Sequence, residues 1–283
     1  MGAWIPVVWR SAAVLMAAGA SFYFATEGPI FVGLGVVMLL SLPVVLRDPV
    51  RLIRAEQGPL RPEIRKLLAE RVPYFAGLAH DRDKDFFQRR VQRLLGTLDF
   101  EAVGEVNFDL EARVLAVAGA AVIVQGRPAY RFDTQRSVLL YPDRFDDDYA
   151  HGDGDILGMV HKQGPIVFSR RALESGWSRE NGSNVSIHEW AHVLDFDDAF
   201  ADGIPGFATD LARWDEILDD ERSKAEAGRR TALRRYAGTN RAETFATALE
   251  VFFERPKDLQ RRNRALYDLL AESLNQSPAE TFD

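Results

Sequence analysis

A chain of 283 residues has room for one large or two small domains, and 47% hydrophobic with 27% charged residues suits a globular core. A formal net charge of −7 argues against a general nucleic-acid binder, so no nucleic-acid partner is expected. With no cysteine, disulfides, thiolate metal sites and cysteine catalysis are excluded together.

Residues 1–46 differ from the rest. Residues 11–26 and 28–46 are two apolar runs, broken only by Thr26-Glu27-Gly28-Pro29. The second approaches the roughly 20 residues that a bilayer requires, so a transmembrane helical hairpin is expected over 1–46. Arg10 precedes it, Arg47, Arg51, Arg54, Arg61 and Arg65 follow, and the turn has neither Lys nor Arg. By the positive-inside rule both ends face the cytoplasm, which makes the protein membrane-anchored with its following domain cytoplasmic. Two other readings compete: a signal peptide ending near Ala18-Gly19-Ala20, and a buried hairpin of a soluble cytoplasmic protein.

A basic linker is expected over 47–66, punctuated by Pro49, Pro59 and Pro62, with the main domain over 67–283. Phe86, Phe87, Val91, Leu94 and Leu95 predict a helix over 85–98, and the Ala- and Val-rich residues 109–124 a buried one. Residues 137–141 and 165–169 read as short strands. The second, near 164–169, is expected to pair with an extended substrate. Between them, 144–164 is an acidic loop holding His151 and His161, whose aspartates do not match a calcium loop.

Next comes His188-Glu189-Trp190-Ala191-His192, an H-E-x-x-H sequence preceded by the cap candidates Asn181-Gly182-Ser183-Asn184. Helix positions i and i+4 lie about 5–6 Å apart on one face, so both imidazoles can reach one Zn²⁺ at roughly 2.0–2.1 Å. Glu189 is rotated off that axis, placed to act as general base on a water. Residue frequencies give roughly 0.006 chance occurrences of the pattern in such a chain. Ile187, Trp190, Val193 and Leu194 form the apolar side of this helix. A loop follows over 196–207, then a largely helical, highly charged stretch over 208–236 and a helix over 242–253. On that last helix Phe245, Leu249, Phe252 and Phe253 form a stripe, and Glu243 and Glu250 lie together on the opposite side.

A catalytic zinc takes three protein ligands and leaves a fourth position for water. No histidine follows His192, so a third histidine ligand at the metzincin offset is impossible; the remaining candidates are the carboxylates Glu243, Glu250 and Asp198, Glu243 ahead of the others. Asp195, three residues past His192, is placed to orient a ligating imidazole rather than to bind metal.

Several segments together resemble one family. They are V-P-Y-F-A-G-L (72–78), L-D-F-E-A-V-G (98–104), V-L-L-Y-P (138–142), Q-G-P-I-V-F-S (163–169), H-E-W-A-H-V-L-D (188–195) and Y-A-G-T-N-R-A-E-T-F-A-T-A-L-E-V-F-F (236–253). The sequence is similar to the MtfA, or glucose-regulated, zinc metallopeptidases over roughly residues 70–275. The resemblance implies a mainly helical α+β, zincin-like domain of the gluzincin type with a small sheet, here preceded by the apolar hairpin. It implies one Zn²⁺ per chain held by His188, His192 and Glu243, with Glu189 as catalytic base. It also implies that Tyr236 steadies an oxyanion, against the alternative of a packed tyrosine with a satisfied hydroxyl. The implied partners are a peptide or protein substrate and, as a rival function, a transcriptional repressor sequestered by a protein whose zinc is structural or vestigial. His161 and Arg170 stand where members often carry Trp, and both are expected to reshape the substrate cleft.

Overall fold

The computed structural model describes residues 41–42, 53, 55–132, 135, 137–142, 158–160, 164–178, 182–198 and 200–281, with 158–160 and 198 as backbone only. The chain divides into two compact units, Met1–Pro59 and Leu60–Asp283. Apart from 41–42, which are helical, the hairpin expected over 1–46 lies outside the described residues. Among the described residues no helix is long and apolar enough to cross a membrane. The acidic loop with His151 and His161 also lies outside them.

The second unit is mainly helical with one small sheet. It opens with α1 (Pro62–Arg71), α2 (Pro73–Gly77), α3 (Asp81–Thr97), β1 (Asp99–Ala102) and α4 (Leu110–Ile123). Next come β2 (Ser137–Tyr141), β3 (Gly158–Val160), β4 (Ile166–Ser169), α5 (Arg170–Ser178) and α6 (Val185–Asp195), the last running into a 3-10 turn at Phe196–Asp198. The chain then forms α7 (Leu211–Glu226), a 3-10 turn at Arg235–Gly238, α8 (Arg241–Glu254), α9 (Pro256–Arg262), α10 (Arg264–Leu274) and α11 (Pro278–Thr281). The expected helix over 208–236 ends early, because Gly228 adopts φ +62° and turns the chain out of the helix.

Strand order is β1-β2-β4-β3, with β1, β2 and β4 parallel and β3 antiparallel to β4. This corrects the expectation that residues 164–169 accept a substrate strand. Both edges of β4 are occupied, one by β2 (Val138 opposite Ile166) and the other by β3 (Val160 opposite Ile166). The sheet's outer strands are β1 and β3, and β3 lies against α6.

The core is built on α4. Asp109 caps it by accepting the Ala112 N–H at 2.9 Å, and its Ala- and Val-rich body is buried on all sides. Small side chains let α6 come close: Ser186 Oγ accepts the Gly119 N–H (3.0 Å) and donates to Ala116 O (3.0 Å). Trp190 Nε1 donates to Ala116 O at 2.7 Å, and Trp177 Nε1 to Leu115 O at 2.9 Å. The Ser186 and Trp190 bonds fix the azimuth of α6, and with it the direction in which its histidines point.

A Cβ on Gly119 would meet the backbone C and O of Ser186 at 2.5 Å. Helix propensity alone favours alanine over glycine by about 1 kcal/mol. A contact with backbone cannot relax by rotating a side chain, so the steric cost wins, and Gly119→Ala is expected to destabilise the fold by about 1–3 kcal/mol. Urea denaturation checks this; an unchanged or higher midpoint would show that the two helices separate freely.

Candidate metal centre

Two helices form the site. In α6, Asn184 Oδ1 accepts the Ser186 and Ile187 N–H groups at 3.1 and 3.3 Å, which starts the helix one turn before His188. In α8, Asn240 Oδ1 accepts the Glu243 N–H at 2.9 Å, placing Glu243 in the first turn. Thr244 Oγ1 donates to Ala237 O (2.7 Å), which ties the 3-10 turn carrying Tyr236 to the same helix.

His188, His192 and Glu243 come together, their ligand-type atoms all within 4.8 Å of one another. His188 Nε2 and His192 Nε2 are 3.2 Å apart. Glu243 Oε2 is 3.0 Å from the first and Glu243 Oε1 3.4 Å from the second. Bonds of roughly 2.0–2.1 Å in a tetrahedral set imply ligand–ligand edges of about 3.3 Å; the imidazole–imidazole distance matches that edge, and each imidazole faces one of the two Glu243 oxygens, so the cluster has room for one small cation. One buried carboxylate oxygen, Glu189 Oε2, has no hydrogen bond among the described residues. Buried polar atoms are normally satisfied, and a water held between an ion and Glu189 would satisfy it. The donor set therefore fits a metal.

The electrostatics follow from burial. Burial works to push the His188 imidazolium down, but the carboxylates of Glu250 and Glu243 outweigh it and hold its pKa up at about 10. Burial pushes Glu189 up to about 8; His188 opposes this, and Glu243 and Glu250 add to it. Burial also works to raise Glu243, yet its bonds to His188 and His192 hold it well below the usual carboxylate range. Tyr236 is half exposed, with its ring 6.2 Å from that of His188. Burial, then the charge and hydrogen bond of Glu243, keep its phenol protonated above its ordinary value.

The remaining candidates fall elsewhere. Glu250 is fully buried on the far side of His188, its Oε1 on Nδ1 of that ring. The Asp198 side chain lies outside the described residues. Asp195 differs from expectation: its Oδ1 accepts the Gly203 N–H at 2.7 Å, so it secures the returning loop. Gly203 has φ +77°, and a Cβ there would meet Arg241 O at 2.6 Å, which is why the loop needs glycine. Arg170 braces the start of α4: it bonds Asn107 O (2.5 Å), Asp109 Oδ2 (2.9 Å) and Glu174 Oε1 (2.8 Å). What sequence reading missed is the pairing of Glu250 with His188. The signal was present in the seven-residue offset from Glu243, which puts both acids on one face two turns apart.

In metal-free protein, both raised groups disfavour folding as pH climbs. Glu189 contributes its full stability below about 4.5 and loses it as pH rises through about 8; for His188 the window runs from 6.5 to about 10. The urea midpoint of chelator-treated protein is thus expected to fall from pH 6.5 to pH 10. A midpoint that stays level or rises over that range would contradict the placement of these charges.

Comparison with known proteins agrees with this geometry. The family model for the glucose-regulated metallo-peptidase M90 matches residues 47–274. An uncharacterised protein of Synechocystis sp., slr2042, is 29% identical over 234 residues, covering 76% of this chain and 84% of its own length. Mlc titration factor A of Yersinia pestis (strain Pestoides F) is 30% identical over 190 residues, covering 60% of this chain and 68% of its own. The Yersinia pseudotuberculosis protein of the same name gives the same figures. The chain belongs to the glucose-regulated metallo-peptidase M90 family, that of Mlc titration factor A.

Proposed function

We propose that the protein is a zinc-dependent peptidase, with one Zn²⁺ per chain held by His188, His192 and Glu243 and with Glu189 as general base. One observation carries this reading: a buried, unpartnered carboxylate oxygen of Glu189 beside three residues whose ligand-type atoms all lie within 4.8 Å of one another. Two imidazole nitrogens and one carboxylate oxygen are a donor set that suits zinc better than the all-oxygen sites preferred by magnesium or calcium.

Zn²⁺, when bound, polarises a carbonyl and lowers the pKa of water toward neutrality. Glu189 takes a proton from the attacking water as its oxygen adds to the scissile carbonyl carbon. When the C–N bond breaks, Glu189 delivers that proton to the leaving amine. Tyr236, whose phenol stays protonated, donates a hydrogen bond to the oxygen that gains negative charge. The outer edge of β3, beside α6, is where an extended substrate backbone would pair.

Glu189→Gln is expected to retain zinc and lose at least about 10²-fold in peptide hydrolysis. Wild-type turnover by this variant in a peptide-library digest would remove the mechanism. The relatives named Mlc titration factor A support a second reading, sequestration of a transcriptional repressor with zinc structural or vestigial. Equal capture of a repressor by wild type and Glu189→Gln, with no hydrolysis by either, would favour it.

We also propose that residues 1–46 form a transmembrane hairpin that holds the catalytic domain on the cytoplasmic side, from their apolar runs and flanking arginines. The full chain should then remain with membranes after carbonate extraction, and deletion of residues 1–46 should release it. Release of the intact chain would favour the soluble alternative.

A further inference from the structure

Among the described residues, Glu250 is the acid that meets a histidine of the cluster from behind, on the Nδ1 side of His188. It has no exposed surface. Its Oε1 lies on His188 Nδ1 and also accepts Arg234 Nη2 at 2.5 Å, while its Oε2 accepts the Asn184 N–H at 3.1 Å. The opposite nitrogen of the same ring, Nε2, faces Glu243 (3.0 Å) and His192 Nε2 (3.2 Å).

An ionised carboxylate only accepts hydrogen bonds. Against it, a neutral His188 must donate from Nδ1, which leaves the Nε2 lone pair directed at Glu243 and His192. The opposite tautomer would put a proton where a cation must bind. Arg234 and the Asn184 N–H both donate to Glu250, and so keep its carboxylate from rotating away from the ring. Arg234 reaches in from a partly exposed position two residues before Tyr236, so its charge offsets that of Glu250 without entering the cluster.

We infer that Glu250 is the positioning residue of the metal centre: it fixes the tautomer and ring orientation in which His188 can ligate, and Arg234 with the Asn184 N–H fixes Glu250. This rests on the metal-binding reading given under Proposed function. A glutamine at 250 cannot serve in its place. One end of the amide must accept from Asn184 N–H and the other from both His188 and Arg234, so either orientation sets donor against donor.

The test is Zn²⁺ affinity of the full chain, measured by chelator competition, which needs no substrate. Glu250→Gln is expected to bind at least about 10-fold more weakly than wild type, with an unchanged far-ultraviolet circular dichroism spectrum. Because a substitution at a fully buried site can cost the fold, a second measurement uses wild-type protein loaded with Co²⁺. Its proton NMR spectrum should hold a hyperfine-shifted imidazole N–H that exchanges slowly in D₂O, from His188 Nδ1 against the buried carboxylate. Affinity of folded Glu250→Gln within about twofold of wild type, or no slowly exchanging N–H in the Co²⁺ protein, would overturn the inference. Wild type that takes up neither ion would instead overturn the metal-binding reading, and this inference with it.

Discussion

The structure depends on how charge is neutralised where α6 meets α8. Glu189, Glu243 and Glu250 are coupled to His188 within one small volume, and among the described residues the guanidinium bonded to this group is that of Arg234, on Glu250. With both imidazoles neutral, three carboxylates against one guanidinium leave two net negative charges. Isolated buried charges cost several kcal/mol each, so a fold that concentrates them requires compensation. Protons give part of it: His188 holds one to well above neutral pH, and Glu189 stays partly protonated at neutrality. A divalent cation would give all of it, with ligand atoms already spaced for one. The features that strain the metal-free molecule are the same ones that recommend the site for a metal.

The rest of the unit serves to hold α6 and α8 at fixed distance and rotation. α4 supplies the inner wall, and its small residues bring Ser186 and Trp190 into hydrogen-bond range of its backbone. Gly203 and Asp195 close the loop after α6 against Arg241, the first residue of α8. Thr244 ties the Tyr236 turn to α8 from the other side. The bonds between α4 and α6 join residues 67 to 74 positions apart and the two loop bonds residues 8 and 7 apart, yet each acts on backbone position rather than on the histidines directly. A site that needs atoms placed to a few tenths of an ångström is thus built on rigid helices and tight caps.

Local signals carried far in the sequence, and long-range ones did not. The α4 helix was legible because Asp109 caps an unbroken run of Ala and Val, and α6 because Asn184 caps a strongly periodic one. β1 was not, since the alternation in Asp-Phe-Glu-Ala runs for only four mostly exposed residues, too short to read as a strand without its pairing with β2. The early end of α7 hung on the conformation of a single glycine inside a charged stretch that otherwise favours helix. In the site, H-E-x-x-H follows from helix geometry alone, whereas the acid opposite it depends on how a second helix docks. The substrate edge was misjudged for the same reason: β4 has strand composition, but its position inside the sheet is set by where β2 and β3 return.

Asp195 and Glu250 show why spacing alone could not divide the acids among roles. Asp195 sits three residues past His192, on the histidine face of the helix, and by that measure was the better partner for an imidazole. What decides is which ring nitrogen is left uncovered and which backbone N–H groups compete for the carboxylate. The loop brings Gly203 N–H to Asp195 at 2.7 Å, and that acid is then committed to the backbone. Glu250 meets the Nδ1 side of His188 because α8 crosses behind the ring, while Glu243, two turns earlier on the same face, meets the Nε2 side. One imidazole is therefore held between two carboxylates of a single helix. The role of each acid follows from the nitrogen it faces: the one on Nε2 shares the cation position, and the one on Nδ1 determines whether that position is open.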